Sequence, residues 1–90
     1  MPRVCFTQNL KRHVGCPDEA VPGATVREAL DSYFARHPGV RGYVLDEHGA
    51  VRQHVVVFAG DTPVRDRDKL LEPVSDTTEI WVMQALSGGC

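Results

Sequence analysis

Hydrophobic residues recur at helical spacing in one segment of the chain, between residues 25 and 36. They form a single apolar stripe made of Val26, Ala29, Leu30, Tyr33 and Phe34. Thr25 and Glu28 form a capping box, in which the Thr25 hydroxyl can accept a hydrogen bond from the Glu28 amide and the Glu28 carboxylate can reach back to the Thr25 amide. His37-Pro38-Gly39 then ends the helical pattern. The sequence therefore predicts one main helix that begins at Thr25.

Alternation of apolar and polar residues predicts strands on both sides of this helix. The segments with this alternation, or with a dense run of β-branched residues, are 3–7, 42–45, 51–59 and 79–86. A turn at 8–11 and a short returning strand at 12–14 predict an N-terminal hairpin. Further turns are expected at 46–49 and 60–61, and a solvated loop at 65–68. With the first and last strands paired in parallel, this order predicts an α+β fold, a mixed sheet packed on one main helix.

Two neighbouring strands should leave an apolar patch on the sheet face that points away from the helix. If Ile80 and Val82 face the helix, the alternation turns Trp81 and Met83 outward. The same rule applied to residues 55–59 gives an outward set of Val56, Phe58, Trp81 and Met83. Loops that cover this face would make the patch structural, and a register shifted by one residue would exchange the two faces. We favour a surface that binds a partner protein, because exposed aromatic residues and methionine are typical of such surfaces.

The composition is that of an ordinary globular protein and argues against several classes of function. The chain has 90 residues, of which 42% are hydrophobic and 24% charged, enough for one domain with a modest core. A net charge of −2 without a basic cluster argues against nucleic-acid binding. No apolar run reaches membrane-spanning length, and the N-terminus shows no signal-peptide pattern. We expect a cytoplasmic protein that is monomeric when free and binds no membrane.

Cysteines and histidines show no pattern that indicates a metal site or a catalytic site. Cys5, Cys16 and Cys90 are too widely spaced for a zinc site or a disulfide framework. The 4 histidines are scattered, and none makes a recognisable nucleophile–base pair with a cysteine. The sequence therefore predicts no bound metal, no bound cofactor and no catalytic site of its own.

The chain ends Ser87-Gly88-Gly89-Cys90, directly after the last predicted strand. Glycine has no Cβ, so this segment can be thin and a partner's backbone can approach it closely. Terminal glycines alone are a weak signal, because chain ends are commonly frayed. We expect residues 1–86 to form one domain and residues 87–90 to form a flexible tail that another protein can thread into its active site.

Together with this end, two stretches of the sequence resemble a known family. Residues 55–64 read Val-Val-Val-Phe-Ala-Gly-Asp-Thr-Pro-Val, and residues 76–80 read Asp-Thr-Thr-Glu-Ile. With the order of elements and Gly88-Gly89, they resemble the ThiS/MoaD family of ubiquitin-like β-grasp sulfur carriers over nearly the whole chain. Gly60 stands where the family usually has Asn, and Thr77-Thr78 replaces its usual Gly-Asp. Cys90 is the larger departure, because family members usually end on the second glycine.

The resemblance implies a function carried by the tail. An E1-like enzyme would use ATP to adenylate the Gly89 carboxylate, which would then become a thiocarboxylate and give its sulfur to an acceptor on a biosynthetic enzyme. Some relatives carry one or two residues after the glycines, which a JAMM-type zinc metallopeptidase removes, and Cys90 would be such a residue. The receiving pathway would make a cofactor, an amino acid or a sulfur-containing siderophore.

Alternatives stay open from the residues themselves. Three interpretations of Cys90 stay open. It is a removable cap, or a reactive thiol, or a residue added in cloning, and we favour the removable cap. The chain is a sulfur carrier, or a ubiquitin-like modifier joined through Gly89 to lysines of other proteins, or a β-grasp interaction subunit that is never activated. An enzyme that acts through its own thiol ranks last.

Overall fold

The computed structural model describes residues 1–13 and 15–84. In chain order the elements are β1 (Arg3–Phe6), α1 (Gln8–His13), β2 (Glu19–Ala20), α2 (Val26–Arg36), α3 (Pro38–Val44), β3 (Val55–Ala59), β4 (Thr62–Pro63) and β5 (Glu79–Gln84). The strands form one sheet in the order β2-β1-β5-β3-β4. Strands β1 and β5 run parallel, and the other neighbours run antiparallel. The predicted α+β fold, with its mixed sheet and parallel first and last strands, is confirmed.

Helix α2 begins at the predicted capping box. The Glu28 amide donates to Thr25 Oγ1 over 3.2 Å. The Glu28 carboxylate accepts from the Ala24 amide at 3.0 Å, one residue before the predicted partner. All members of the predicted apolar stripe are buried. They share one core with the inward residues of the three central strands, which are Val4, Phe6, Val55, Val57, Ile80 and Val82.

The predicted N-terminal hairpin is wrong, because residues 8–13 form helix α1 instead of a turn and a returning strand. Leu10 is the apolar residue of this helix that enters the core, where it is 4% exposed. The antiparallel partner of β1 comes later, at β2. Asp18 holds the connection to β1, since its carboxylate accepts from the Phe6 amide at 3.0 Å and lies 3.1 Å from Lys11 Nζ.

The strand predicted at 42–45 is also wrong, because Pro38–Val44 is helix α3. Residues 37–39 end α2 as predicted, and Pro38 then opens the next helix, where its missing amide costs no hydrogen bond. Val40 and Val44 are four residues apart and both buried, which is helical spacing and not the alternation of a strand.

The long strand predicted at 51–59 is shorter in the structure and begins at Val55. The turn at 46–49 is confirmed, and Asp46 stabilises it by accepting from the amides of His48 at 2.8 Å and Ala50 at 3.1 Å. After this turn Val51 makes only an isolated bridge with Leu45. Residues 52–54 then cross to the start of β3.

The loop at 65–68 is solvated only in part, which corrects the sequence expectation. Arg67 is half-buried, and its Nη2 donates to the carbonyl oxygens of Arg52 and, at 2.7 Å, Val55. The guanidinium therefore occupies backbone acceptors beside the point where β3 begins. Charge alternation in the sequence predicted the exposed members of this loop but did not single out Arg67.

Candidate functional site

The outward residues of β3 and β5 form an apolar face on the side of the sheet opposite α2. We call Val56, Phe58, Trp81 and Met83 the open face. Phe58 pairs with Trp81 in the antiparallel ladder, and Val56 pairs with Met83. All four side chains are of intermediate exposure. Ile80 and Val82, which alternate with Trp81 and Met83 along β5, are fully buried. The predicted register is therefore confirmed, and no shift by one residue occurs.

The open face contains a shallow depression at its β4 end. Its volume is about 310 Å³, and its lining consists of Phe58, Gly60, Asp61, Trp81 and Met83. The Trp81 indole Nε1 donates to Glu79 Oε1 at 3.3 Å, which holds the ring over the strand. Asp61 lies on the turn predicted at 60–61, where Gly60 has a φ of +65° that favours glycine. The depression therefore combines an aromatic and thioether floor with a carboxylate at its rim.

Cys5 lies next to the open face, on the parallel strand β1 opposite Trp81. Alternation along β1 turns Val4 and Phe6 into the core and Cys5 to the other side. The thiol is nevertheless 2% exposed, and burial raises its pKa. Cys16 is buried too, and burial likewise raises the pKa of its thiol. Both thiols are kept protonated at neutral pH, which makes them poor nucleophiles.

The predicted tail, residues 87–90, lies outside the described residues. Strand β5 ends at Gln84, paired with Val55 at the beginning of β3. Ser87, Gly88, Gly89 and Cys90, the residues predicted to carry the chemistry and its processing, lie outside the described residues, as do the last two residues of the predicted strand at 79–86. Strand β5 carries Trp81 and Met83 of the open face, and its last residue, Gln84, precedes Ser87 by three positions in the sequence.

Within residues 1–13 and 15–84 no group of three His, Cys, Asp or Glu side chains is placed to hold a metal ion. His37 is engaged structurally, with Nε2 3.1 Å from Glu19 Oε1 and its ring 4.6 Å from the Tyr33 ring. His48 is exposed beside Glu47. In the same part of the chain, no helix has the length and apolar character needed to span a membrane.

Sheet order, register and the single main helix define a ubiquitin-like β-grasp protein. Solved structures with the same fold include a chain of the BexX/CysO complex of Amycolatopsis orientalis, with a TM-score of 0.81 and 27% identity over 99% of this chain and 100% of that one. SAMP1 from Haloferax volcanii has a TM-score of 0.76 and 24% identity, with 98% of each chain covered. CysO from Mycobacterium tuberculosis has a TM-score of 0.79 and 19% identity, covering 96% of this chain and 100% of that one.

These neighbours are ubiquitin-like β-grasp proteins of the ThiS/MoaD sulfur-carrier type, which agrees with the resemblance read from the sequence. The similarity to SAMP1 at 24% identity and to CysO from Mycobacterium tuberculosis at 19% identity shows the fold alone. No family model matches the sequence, and a comparison with curated proteins finds no match.

Proposed function

We propose that this protein is a sulfur carrier that acts through Gly89 after Cys90 has been removed. The observation that supports it best is the course of β5. This strand is central in the sheet, forms half of the open face, and leads in five residues from Gln84 to Gly89. The protein that the tail enters can therefore contact the open face at the same time.

The proposed chemistry begins with activation of a carboxylate. A carboxylate is a poor electrophile, so an E1-like enzyme transfers AMP from ATP to the Gly89 carboxylate and releases pyrophosphate. A reduced sulfur donor then attacks the acyl adenylate and displaces AMP, which leaves a Gly89 thiocarboxylate. That sulfur is the nucleophile delivered to an acceptor on a biosynthetic enzyme. The carrier binds no cofactor, contributes no catalytic side chain, and works in the cytoplasm.

Cys90 makes removal of one residue a required step. While Cys90 is attached, the carboxyl group of Gly89 is part of a peptide bond and cannot attack ATP. A JAMM-type metallopeptidase that cleaves after Gly89 would expose it. Glycine at both 88 and 89 suits a narrow active-site channel, because neither residue adds a side chain.

A second candidate function is protein modification through the same Gly89. This protein shares its fold with SAMP1, a small archaeal modifier protein, and that similarity supports the second candidate. In that case the activated carboxyl group would join the amines of lysines on other proteins. An interaction subunit that is never activated is the third account.

The intact mass of the protein taken from its native cells separates these accounts. A carrier should lack Cys90, and a fraction should be heavier by the difference between sulfur and oxygen, about 16 Da. A modifier should instead appear as conjugates on other proteins. If all of the protein kept Cys90 and carried no added mass, the interaction subunit would be the better account.

A further inference from the structure

A second pocket lies where β5 ends at Gln84, apart from the open face. It has a volume of about 320 Å³ and is lined by residues that include Leu10, Tyr43, Arg52, His54 and Gln84. Gln84 ends β5, while Tyr43 belongs to α3 and Leu10 to α1. We call this cavity the root pocket. Neither its position nor its charge follows from the alternation that predicts the open face.

Arg52 is held in a fixed position at this pocket. Its amide donates to the Val44 carbonyl at 3.0 Å, and its side-chain Nε donates to the Gly42 carbonyl at 2.7 Å. Within the described part of the chain, its two terminal nitrogens donate to no acceptor and pair with no carboxylate. A guanidinium anchored through Nε presents these two nitrogens as a fork that matches a carboxylate.

The charges around the pocket favour an anion. Arg67 donates through Nη2 to the backbone carbonyls of Arg52 and Val55, two lining residues, so a second guanidinium lies next to the pocket. The charge of Arg52 helps to lower the pKa of the Asp46 carboxyl, but the described residues contain no ion pair between the two, and Asp46 Oδ1 accepts from the amides of His48 and Ala50. The terminal nitrogens of Arg52 therefore remain available to a ligand.

The other lining residues add an apolar wall. Tyr43 is 49% exposed, unusually high for an aromatic residue, and it lines the pocket together with the buried Leu10. A side chain with a short aliphatic stem and a terminal carboxylate would bury its stem here and reach Arg52. This is the shape and chemistry of a glutamate side chain in a peptide segment.

We infer that the root pocket receives an acidic side chain from the protein that takes the tail. This inference rests on the proposed function for its partner. Gly89 lies five positions after Gln84, so the two residues are at most about 18 Å apart. An enzyme that grips Gly89 therefore has its active site within about 18 Å of Gln84, close enough for a glutamate on its surface to reach Arg52. The pocket sets the orientation of the carrier, and the open face supplies the apolar contact.

The first test uses a blocked peptide and does not depend on activation. Acetyl-Leu-Glu-Leu-amide is titrated into the full chain, with acetyl-Leu-Gln-Leu-amide as its neutral control, and amide chemical shifts are followed. The Glu peptide should shift the amides of Tyr43, Arg52 and His54, the Gln peptide should shift them far less, and added salt should weaken the effect. Equal shifts from both peptides, or no shifts at these amides, would overturn the inference.

Matched variants assign the effect to Arg52. Arg52→Gln should abolish the response to the Glu peptide, while Arg65→Gln, which removes an exposed arginine outside the pocket, should leave it unchanged. Thermal unfolding of both variants checks the fold, because Arg52 also bonds Gly42. If Arg52→Gln does not fold, Tyr43→Ala takes its place and should weaken the response. An unchanged response in both Arg52→Gln and Tyr43→Ala would contradict the assignment.

The second test uses chains that end at Gly89 and the activating enzyme. Arg52→Gln should raise the KM for the carrier by about tenfold or more relative to Arg65→Gln, as expected for loss of a charge-assisted hydrogen bond. If the parent chain is activated and the two variants have equal KM values, the inference fails alone. If the parent chain is not activated at all, the proposed function fails, and the peptide titration still decides whether the pocket binds a carboxylate.

Discussion

Phe58 and Trp81 stand directly opposite each other on the antiparallel strands β3 and β5, on the sheet face away from α2. Side chains in such positions have Cβ atoms about 5 Å apart. Both rings are only half-buried. Two adjacent aromatic rings left accessible on a sheet are well suited to be the central contacts of a protein interface.

Removal of either ring should weaken binding to the activating enzyme. Trp81→Ala and Phe58→Asp should each lower the affinity by about tenfold or more, since central aromatic contacts carry much of the energy of an interface. Isothermal titration calorimetry with chains that end at Gly89 measures this. Leu71→Ala, at a residue 58% exposed outside the open face, is the control and should bind normally. Unchanged affinity in both variants would place the interface elsewhere.

Leu30 should be essential to the core. It is fully buried on α2, so Leu30→Ala should lower the free energy of unfolding by about 2–5 kcal/mol. Urea denaturation measures this, and Leu71→Ala is the matched control, with an expected change of less than about 0.5 kcal/mol. Similar losses in the two variants would mean that the packing of α2 is misassigned.

Arg27 ties helix α2 to two loops. Its Nη2 donates to the carbonyls of Gly49 and Asp68 at 2.7 Å each, and its Nε donates to Lys69 at 3.1 Å. Arg27→Gln should lower the free energy of unfolding by about 1–3 kcal/mol, and amides of the two loops should exchange faster. Hydrogen exchange at Val51 and Leu70 measures the loops, with Arg65→Gln as control. Unchanged protection at both amides would show that the loops hold without this side chain.

The sequence predicted the parts of this fold that rest on strong periodicity. Several residues support each of three signals: the capping box at Thr25, the apolar stripe that includes Leu30, and the alternation around Trp81. The sequence therefore predicted α2, β5 and the open face correctly. Helix α3 was missed because its Gly39, Gly42 and β-branched valines have weak helix propensity, and tertiary burial of Val40 and Val44 overrides it.

Features made by distant segments were beyond local patterns. The forked contacts of Arg27 and Arg67 join residues more than ten positions apart, and a sequence shows them only as exposed charges. The root pocket likewise brings together α1, α3, the start of β3 and the end of β5. The alternation along β1 could have shown that Cys5 lies on the same sheet face as Trp81, because Val4 and Phe6 point into the core, but only the structure gives the register that pairs Cys5 with Trp81.

Stability should fall in acid. Three carboxylates have lowered pKa values: Glu19 through hydrogen bonds from Arg36 and His37, Asp46 through the His48 amide, and Asp66 through the Lys69 amide. A carboxyl group whose pKa is lowered by folding stabilises the protein above its ordinary value, here 4.5 for Glu and 3.8 for Asp. That contribution is lost as the pH falls through the lowered pKa.

The urea midpoint should therefore decrease as the pH is lowered from about 5 to 3. Asp46→Asn should show a shallower decrease than the parent, because it removes one of the groups whose pKa changes on folding. Asp61→Asn, on an exposed turn, is the control and should follow the parent. A midpoint that rises in acid, or an Asp46→Asn curve parallel to that of the parent, would contradict this assignment.

The central claim is that Gly89 is the group that is activated and that Cys90 blocks it. ATP–pyrophosphate exchange, catalysed by the E1-like enzyme of the same organism, measures this directly on two chains, one full-length and one ending at Gly89. The shorter chain should support exchange and gain sulfur by intact mass, the full-length chain should do neither, and Gly89→Ala in the shorter chain should react poorly because a methyl group crowds a channel shaped for glycine. Equal exchange by the two chains would contradict the role of Cys90, and no exchange by either would contradict the carrier function itself.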